Sequence, residues 1–433
     1  MWTDYNYLSI LESELIPALG CTEPIAIAYA SAKARAVLGE LPEHLDLFCS
    51  GNIVKNVKGV TVPNSGGLKG IDVAGALGTV CGADQQELEV LEQATPADVE
   101  KALQLIAEGF VHCHLAEGVE NLYIRALATA GPHSAEVTIV DYHTFISEIR
   151  KDGKLLLQQS SIGGSKPDKK TLSVAGILDY ADTVPVEVVR PLLKKQVEMN
   201  NAIAKEGLAH PYGAQVGRTL LETEGSALHV SARAKAAAAS DARMGGCSLP
   251  VVINSGSGNQ GITVCVPVVE YAKALNAGEE KLYRALLISN LLAIHIKRHI
   301  GSLSAFCGAV SAACGAGAAI TYLHGGTQEQ ISNTIINTLG NASGIVCDGA
   351  KASCAAKIAC ALEAAELGHQ MSMNGLCFPA FSGILQGDVE QTIQSIGYLG
   401  RVGMKETDVD ILHIMLGDVT FSKNSAACAG GGS

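Results

Sequence analysis

Aromatic residues are scarce, only 4% of 433, with a single Trp. The 48% apolar share is therefore carried by Ala, Val, Leu and Ile, beside 47 Gly. That composition favours helices packed closely through small residues, joined by glycine-rich loops. A basic excess is also missing. Lys and Arg number 31 against 43 Asp and Glu, a net charge of −12, which excludes nucleic acid or an anionic membrane as the main partner. No apolar segment follows a basic start: Met1 to Tyr7 is polar and carries Asp4, so no secretory signal is read and a cytoplasmic location is expected. Long runs of Leu or Phe are absent too. Ile300 to Leu323 is uncharged and long enough to span a bilayer, but Ala, Gly, Ser and Cys give little insertion free energy. A buried helix in a soluble bundle is expected there, and no membrane partner. What the chain does have is 13 cysteines. An odd count in a long chain without an export signal argues against a disulfide framework. Each Cys is then a small buried hydrophobe, or a ligand or nucleophile.

The length exceeds what one core usually supports, so two domains or more are expected. The fold class read from the pattern is mixed α and α/β. A mainly helical domain is formed by residues 1–40 and 190–433, with an α/β domain, 41–189, inserted between them. Within the insert, strands are predicted at Leu45 to Cys49, Val57 to Val62, Leu122 to Ala128, Ala135 to Tyr142, Thr144 to Ile149 and Lys154 to Gln158. Asp152-Gly153 is a hairpin signal. Residues 84–118 read as helix, with Pro96 in a first turn. A long helix is predicted over Glu222 to Arg243. Further helices are predicted near 264–275, 280–296, 302–323, 327–339, 350–366 and 389–402.

Four short stretches could carry chemistry. In Cys347-Asp348-Gly349-Ala350-Lys351-Ala352-Ser353-Cys354, two thiols straddle an Asp-Gly turn, and the second opens an Ala-rich helix. Soft thiolates there suit zinc, copper(I) or an iron–sulfur cluster, but two do not fill a tetrahedral site. Cys307 is one possible third, and spacing alone leaves other triples open. In Gly20-Cys21-Thr22-Glu23-Pro24, Gly20 ends one helix and Pro24 starts the next, which puts Cys21 at a helix N-terminus. A thiol so placed is expected to be partly thiolate. Asn254 to Gly261 reads as a loop of successive backbone donors for a small anion, or as a tight turn between helices. It is neither a Walker A loop nor a dinucleotide fingerprint. Asp241 and Arg243 precede it, as a helix-end ion pair or as substrate contacts. His143 is a lesser candidate.

Taken together, these four stretches resemble the L-cysteine desulfidase family, which is related to the α part of iron–sulfur L-serine dehydratases. The resemblance covers essentially the whole chain. It implies a [4Fe-4S] cluster held by Cys307, Cys347 and Cys354 in the helical domain, and Cys21 as the catalytic residue. A small amino-acid substrate would be bound by Thr22, Glu23, Asn52, Ser255, Gly256, Ser257, Gly258 and Asn259. The expected reaction is oxygen-sensitive α,β-elimination of sulfide from L-cysteine, and a homodimer is the expected assembly. Cys428 is a further candidate ligand, as tail cysteines are in related serine dehydratases. The rival readings are an L-serine dehydratase, a non-catalytic redox or metal sensor, and a zinc-stabilised structural protein.

Overall fold

The computed structural model describes residues 6–160, 167–301 and 303–419. The chain opens with α1 (Tyr7–Glu14), the short strand β1 (Pro17–Leu19) and α2 (Thr22–Leu38). β2 (His44–Ser50) runs directly into α3 (Gly51–Val57), followed by α4 (Ile71–Cys81) and α5 (Pro96–Ala107). Five strands follow: β3 (Val111–Ala116), β4 (Tyr123–Ala130), β5 (His133–Val140), β6 (Ile146–Lys151) and β7 (Lys154–Gln158). Next are α6 (Val174–Thr183), α7 (Val186–Ala209), α8 (Val216–Glu224), α9 (Leu228–Met244) and the short strand β8 (Pro250–Val252). Seven helices complete the described chain: α10 (Gly258–Ala274), α11 (Gly278–Ile300), α12 (Gly308–Leu323), α13 (Gln328–Ala342), α14 (Cys354–Met373), α15 (Val389–Tyr398) and α16 (Lys405–Leu416). This is the mixed α and α/β class expected from the sequence.

Six strands form one sheet in the order β3-β2-β4-β5-β6-β7, antiparallel except for the β2–β3 pair. β4 alternates strictly, and its Ile124, Ala126 and Ala128 share the face covered by α2 and α4. α4 crosses α2 so closely that a Cβ on Gly78 would lie 2.2 Å from the Ala28 carbonyl oxygen. α12 meets α11 the same way, where a Cβ on Gly315 would lie 2.4 Å from the Ser289 carbonyl oxygen. These are the small-residue contacts that the composition favours. One hydrophobic cluster runs from the covered sheet face into the helices, with α9 and α12 buried along most of their length. Among the described residues no helix is long and apolar enough to cross a membrane.

Three local expectations are corrected. Val111–Ala116 is an edge strand parallel to β2, not part of a helix. Residues 57–62 form no strand: α3 runs to Val57, and only Thr61 makes an isolated bridge, to Lys69. The helix predicted over 222–243 is split, because Gly225 takes a left-handed φ of 82° and separates α8 from α9.

Candidate functional site

Two short pairings assemble the site. β1 lies antiparallel to β8, with Pro17 opposite Val252 and Leu19 opposite Pro250. The chain therefore leaves β1 into Gly20-Cys21-Thr22-Glu23 beside the place where it leaves β8 into Asn254 to Gly261. The Thr22 hydroxyl lies 3.1 Å from the Gly256 carbonyl oxygen and 3.1 Å from Glu23 Oε2, and it donates to one at a time. The second pairing is a bridge between Phe306 and Val346. There Cys307 N–H donates to Ile345 at 3.1 Å and Cys347 N–H to Ala305 at 2.6 Å, which sets the two cysteines side by side. Cys307 caps α12 and Cys354 opens α14.

The 254–261 loop is a tight turn joined to a helix start, rather than a continuous row of donors. Asn254 and Ser257 exchange backbone hydrogen bonds of 3.1 and 3.0 Å around Ser255 and Gly256, whose φ values are 51° and 77°. Ser257 then caps α10, leaving the N–H groups of Gly258 and Asn259 at a helix N-terminus, where an anion is favoured. Buried amides hold this loop rigid. Asn200 accepts from Val252 N–H at 2.8 Å and donates to the Gly261 carbonyl at 2.9 Å. Asn254 donates to Asn290 Oδ1 at 3.0 Å, and Asn290 exchanges two 2.9 Å bonds with Gln196.

A cavity of about 550 Å³ opens where these parts meet, and its walls include Cys21, Glu23, Arg243, Cys307, Cys347 and Cys354. Ser255, Gly256, Ser257 and Asn259 also line it. Thr22, Gly258 and Asn52 do not. The Thr22 hydroxyl instead reaches Glu23 Oε2 at 3.1 Å. Gly258 lies against Arg243, where a Cβ would be 2.3 Å from Nε and would push that side chain aside. Asn52 sits one turn before Asn56, and it is Asn56 that lines the cavity and donates to Glu23 Oε1 at 3.2 Å. Cys428 lies outside the described residues.

Cys21 is the clearest electrostatic correction. It does cap α2, but it is buried, and its Sγ donates to Glu23 Oε2 at 2.9 Å. Burial, together with the adjacent Glu23 charge, pushes the thiol well above its ordinary range, so it is protonated. The helix end is outweighed. Burial also pushes the Glu23 carboxyl up, but His143 and the donated Cys21 thiol bring it down to about 2. His143 Nε2 is 3.8 Å from Glu23 Oε1, an ion-pair distance. Cys21, Glu23 and His143 thus form a chain from the cavity into the β5–β6 connection.

The three other cysteines behave differently. Cys307 donates its S–H to Cys347, which is held below the ordinary thiol range despite burial, with help from Lys55, the Gly349 N–H and Lys297. Cys307 is raised as the donor of that pair, and burial raises Cys354. The turn between them docks on α3, since a Cβ on Gly349 would lie 2.3 Å from the Lys55 carbonyl oxygen. Asp348 binds Lys351 at 2.8 Å and also pairs with Lys357, which closes the turn. Among the described residues no three His, Cys, Asp or Glu side chains converge on a single-ion geometry. Three soft thiols on the wall of one cavity suit a polynuclear group.

Asp241 and Arg243 are not the expected helix-end ion pair. Asp241 accepts from Gly217 N–H at 3.0 Å and anchors the start of α8, while Arg243 faces the cavity. Burial raises Asp241 from an ordinary 3.8 to about 6. Between those values the folded chain holds a proton that the unfolded chain has lost, so stability falls as pH rises through this window. Above it, the buried charge costs at most about 3 kcal/mol. Asp241→Asn is expected to melt a few degrees above the native chain at pH 7.5 and level with it at pH 4.5. Calorimetry at the two pH values checks this, and a gap that is larger at pH 4.5 sinks the assignment.

Residues 85–413 match the sequence model of a family described as serine dehydratase alpha chain. That span includes Arg243, the 254–261 loop and the three clustered cysteines, while Cys21 and Glu23 precede it. Relatives extend over the whole site. The chain is 52% identical over 411 residues to a UPF0597 protein of Lachnoclostridium phytofermentans, covering 94% of this chain and 99% of that protein. A UPF0597 protein of Finegoldia magna is 48% identical over 415 residues, 95% of this chain and 99% of that protein. One of Treponema denticola is 45% identical over 422 residues, 95% of this chain and 98% of that protein. With the matched span holding most of the cavity wall, this chain belongs to the serine dehydratase alpha chain family.

Proposed function

We propose that the chain is an iron–sulfur-dependent L-cysteine desulfidase, a carbon–sulfur lyase that converts L-cysteine and water to pyruvate, ammonia and hydrogen sulfide. One observation carries the reading: a single cavity joins the Cys21–Glu23 pair, the Arg243 guanidinium and the three thiols of Cys307, Cys347 and Cys354. Membership of a serine dehydratase family points the same way, to a lyase.

Cys307, Cys347 and Cys354 would hold a [4Fe-4S] cluster. With three protein thiolates such a cluster supplies a Lewis-acidic iron with an open position, which labilises a β-substituent. The chain's own residues do the rest. Arg243 is 2% exposed, its Nε has no partner, and it makes no ion pair among the described residues. A buried guanidinium without a counter-ion is a receptor for a carboxylate, and the N-terminus of α10 adds to it. The Cα proton leaves to Cys21 Sγ while the thiol passes its own proton to Glu23 Oε2 at 2.9 Å. Glu23 is the net base, held in place by Asn56 and His143. The eliminated aminoacrylate then tautomerises and hydrolyses.

The test is anaerobic reconstitution, followed by the optical spectrum, iron and labile sulfide content, and turnover. Sulfide release from L-cysteine should exceed pyruvate formation from L-serine. The opposite ratio establishes the second reading, L-serine dehydration, which the family description favours. A loaded cluster with no turnover of any amino acid leaves the sensor reading. Arg243→Met should raise KM about 100-fold, the loss of a charged hydrogen-bonded contact worth ~2.7 kcal/mol. It should not lower the melting temperature, because the charge it removes is buried and unpaired. An unchanged KM places the carboxylate elsewhere.

A further inference from the structure

The last turn of α11 carries Lys297, Arg298 and His299. The structure separates the first two. Arg298 turns to protein partners, donating to His295 Nδ1 at 3.1 Å and to the Leu172 carbonyl at 3.4 Å. Lys297 turns inward. It is 6% exposed and lines the cavity, and among the described residues its ammonium makes no hydrogen bond or ion pair. Burial of an unpaired ammonium is unfavourable by several kcal/mol, so a chain that keeps one is expected to supply an anion for it.

The surroundings identify the anion. The thiols acting electrostatically on Lys297 are Cys347 and Cys307. The neighbouring cation, Lys55, is already paired with Asp408 of α16. Arg243, which has no ion pair among the described residues, acts on Cys21 and Cys354 instead. The two cations therefore serve different parts of one space. The substrate carboxylate accounts for Arg243, and nothing in the proposed reaction accounts for Lys297. Three thiolates around an iron–sulfur core leave a net negative charge. Lys297 lines the same cavity as the three cysteines that would gather it and acts on two of them.

We propose that Lys297 is a positioning residue for the cluster: a fixed, buried counter-charge that offsets the charge collected at Cys307 and Cys347. This rests on the iron–sulfur reading above. Lys297 touches neither the α-proton nor the carboxylate in that scheme. Its contribution is to cluster retention and to the balance between the oxidised and reduced cluster.

The experiment uses full-length protein reconstituted anaerobically, as wild type, Lys297→Met, Lys297→Gln and Lys297→Arg. The readouts are iron and labile sulfide per chain, the rate of iron loss to a chelator, and the midpoint potential. The two neutral variants should lose iron at least about tenfold faster than wild type. Removing a nearby positive charge disfavours the more negative, reduced cluster, so the reduction equilibrium should shift about tenfold toward the oxidised form. For one electron that lowers the midpoint by about 59 mV. Lys297→Arg keeps the charge and should stay close to wild type in both readouts. Thermal melts confirm that each variant is folded; if Lys297→Met is not, Lys297→Gln decides. Neutral variants that match wild type in iron retention and potential overturn this inference alone. Wild-type protein that takes up no iron overturns the iron–sulfur reading, and this inference with it.

Discussion

Anaerobically reconstituted Cys354→Ala should hold less than about a tenth of the wild-type iron and turn over no amino acid. The residue can be removed without unfolding the chain. It is the first residue of α14, which continues Ala355, Ala356 and beyond, so alanine there suits the helix. Its Sγ makes only a weak 3.7 Å contact with the Gly349 carbonyl. The small apolar group around it, Cys21, Val60, Met244 and Ala350, loses one sulfur atom. The large effect is therefore expected on metal and not on fold, and a melt close to wild type would show this. Cys265→Ala and Cys314→Ala are the controls. Both thiols are fully buried and pushed far up by burial, and neither lines the cavity. These variants should lose some stability and keep their iron. A Cys354→Ala protein with full iron content removes Cys354 from the ligand set.

Local pattern carried much of the fold. β4 follows alternation, and the Asp152-Gly153 turn that joins β6 to β7 has positive φ at both residues, 51° and 74°, as a two-residue hairpin of this type requires. β3 was illegible for a physical reason. As an edge strand it is mostly exposed, so His112, Cys113 and His114 show no buried face, and what specifies it is its pairing with β2. Val57, Val60 and Val62 misled in the opposite way. They are β-branched, yet they are buried as plugs from a helix end and a turn, not as a strand.

The site divides along the same line. The Cys347 to Cys354 turn is local and could be read as a pair of thiols. Cys307 joins it only through the bridge between Phe306 and Val346, which no spacing rule encodes. Asn56 and Lys297 sit at unremarkable helical positions, and only tertiary placement turns them into cavity walls. Cys21 shows a limit of local electrostatics. Its place at a helix start was legible, but its charge state depends on total burial and on Glu23 two residues away, and these override the helix end.

That reversal makes Glu23→Gln the sharpest mechanistic variant. It should lower kcat by about 10²–10⁴ while KM changes far less, because the carboxylate acts on the proton and not on binding. Glutamine can keep its oxygen toward Asn56, but its amide then meets the Cys21 and Thr22 donors, which sit 2.9 and 3.1 Å from Oε2 in the native chain. The thiol loses its acceptor, so the relay is broken from the other side as well. Cys21→Ala should cost about as much, and the double variant little more than either alone, since two members of one relay fail together. The pH profile separates the relay from a lone thiolate base. Glu23 is held at about 2, so it stays ionised from pH 5 to 8 and imposes no acid limb on kcat/KM there. A Cys21 thiolate would instead make the rate climb about tenfold per pH unit over that range, because burial holds the thiol far above it. A profile that climbs this way would return the role of base to Cys21 alone, and strictly additive losses in the double variant would show two independent groups rather than one relay.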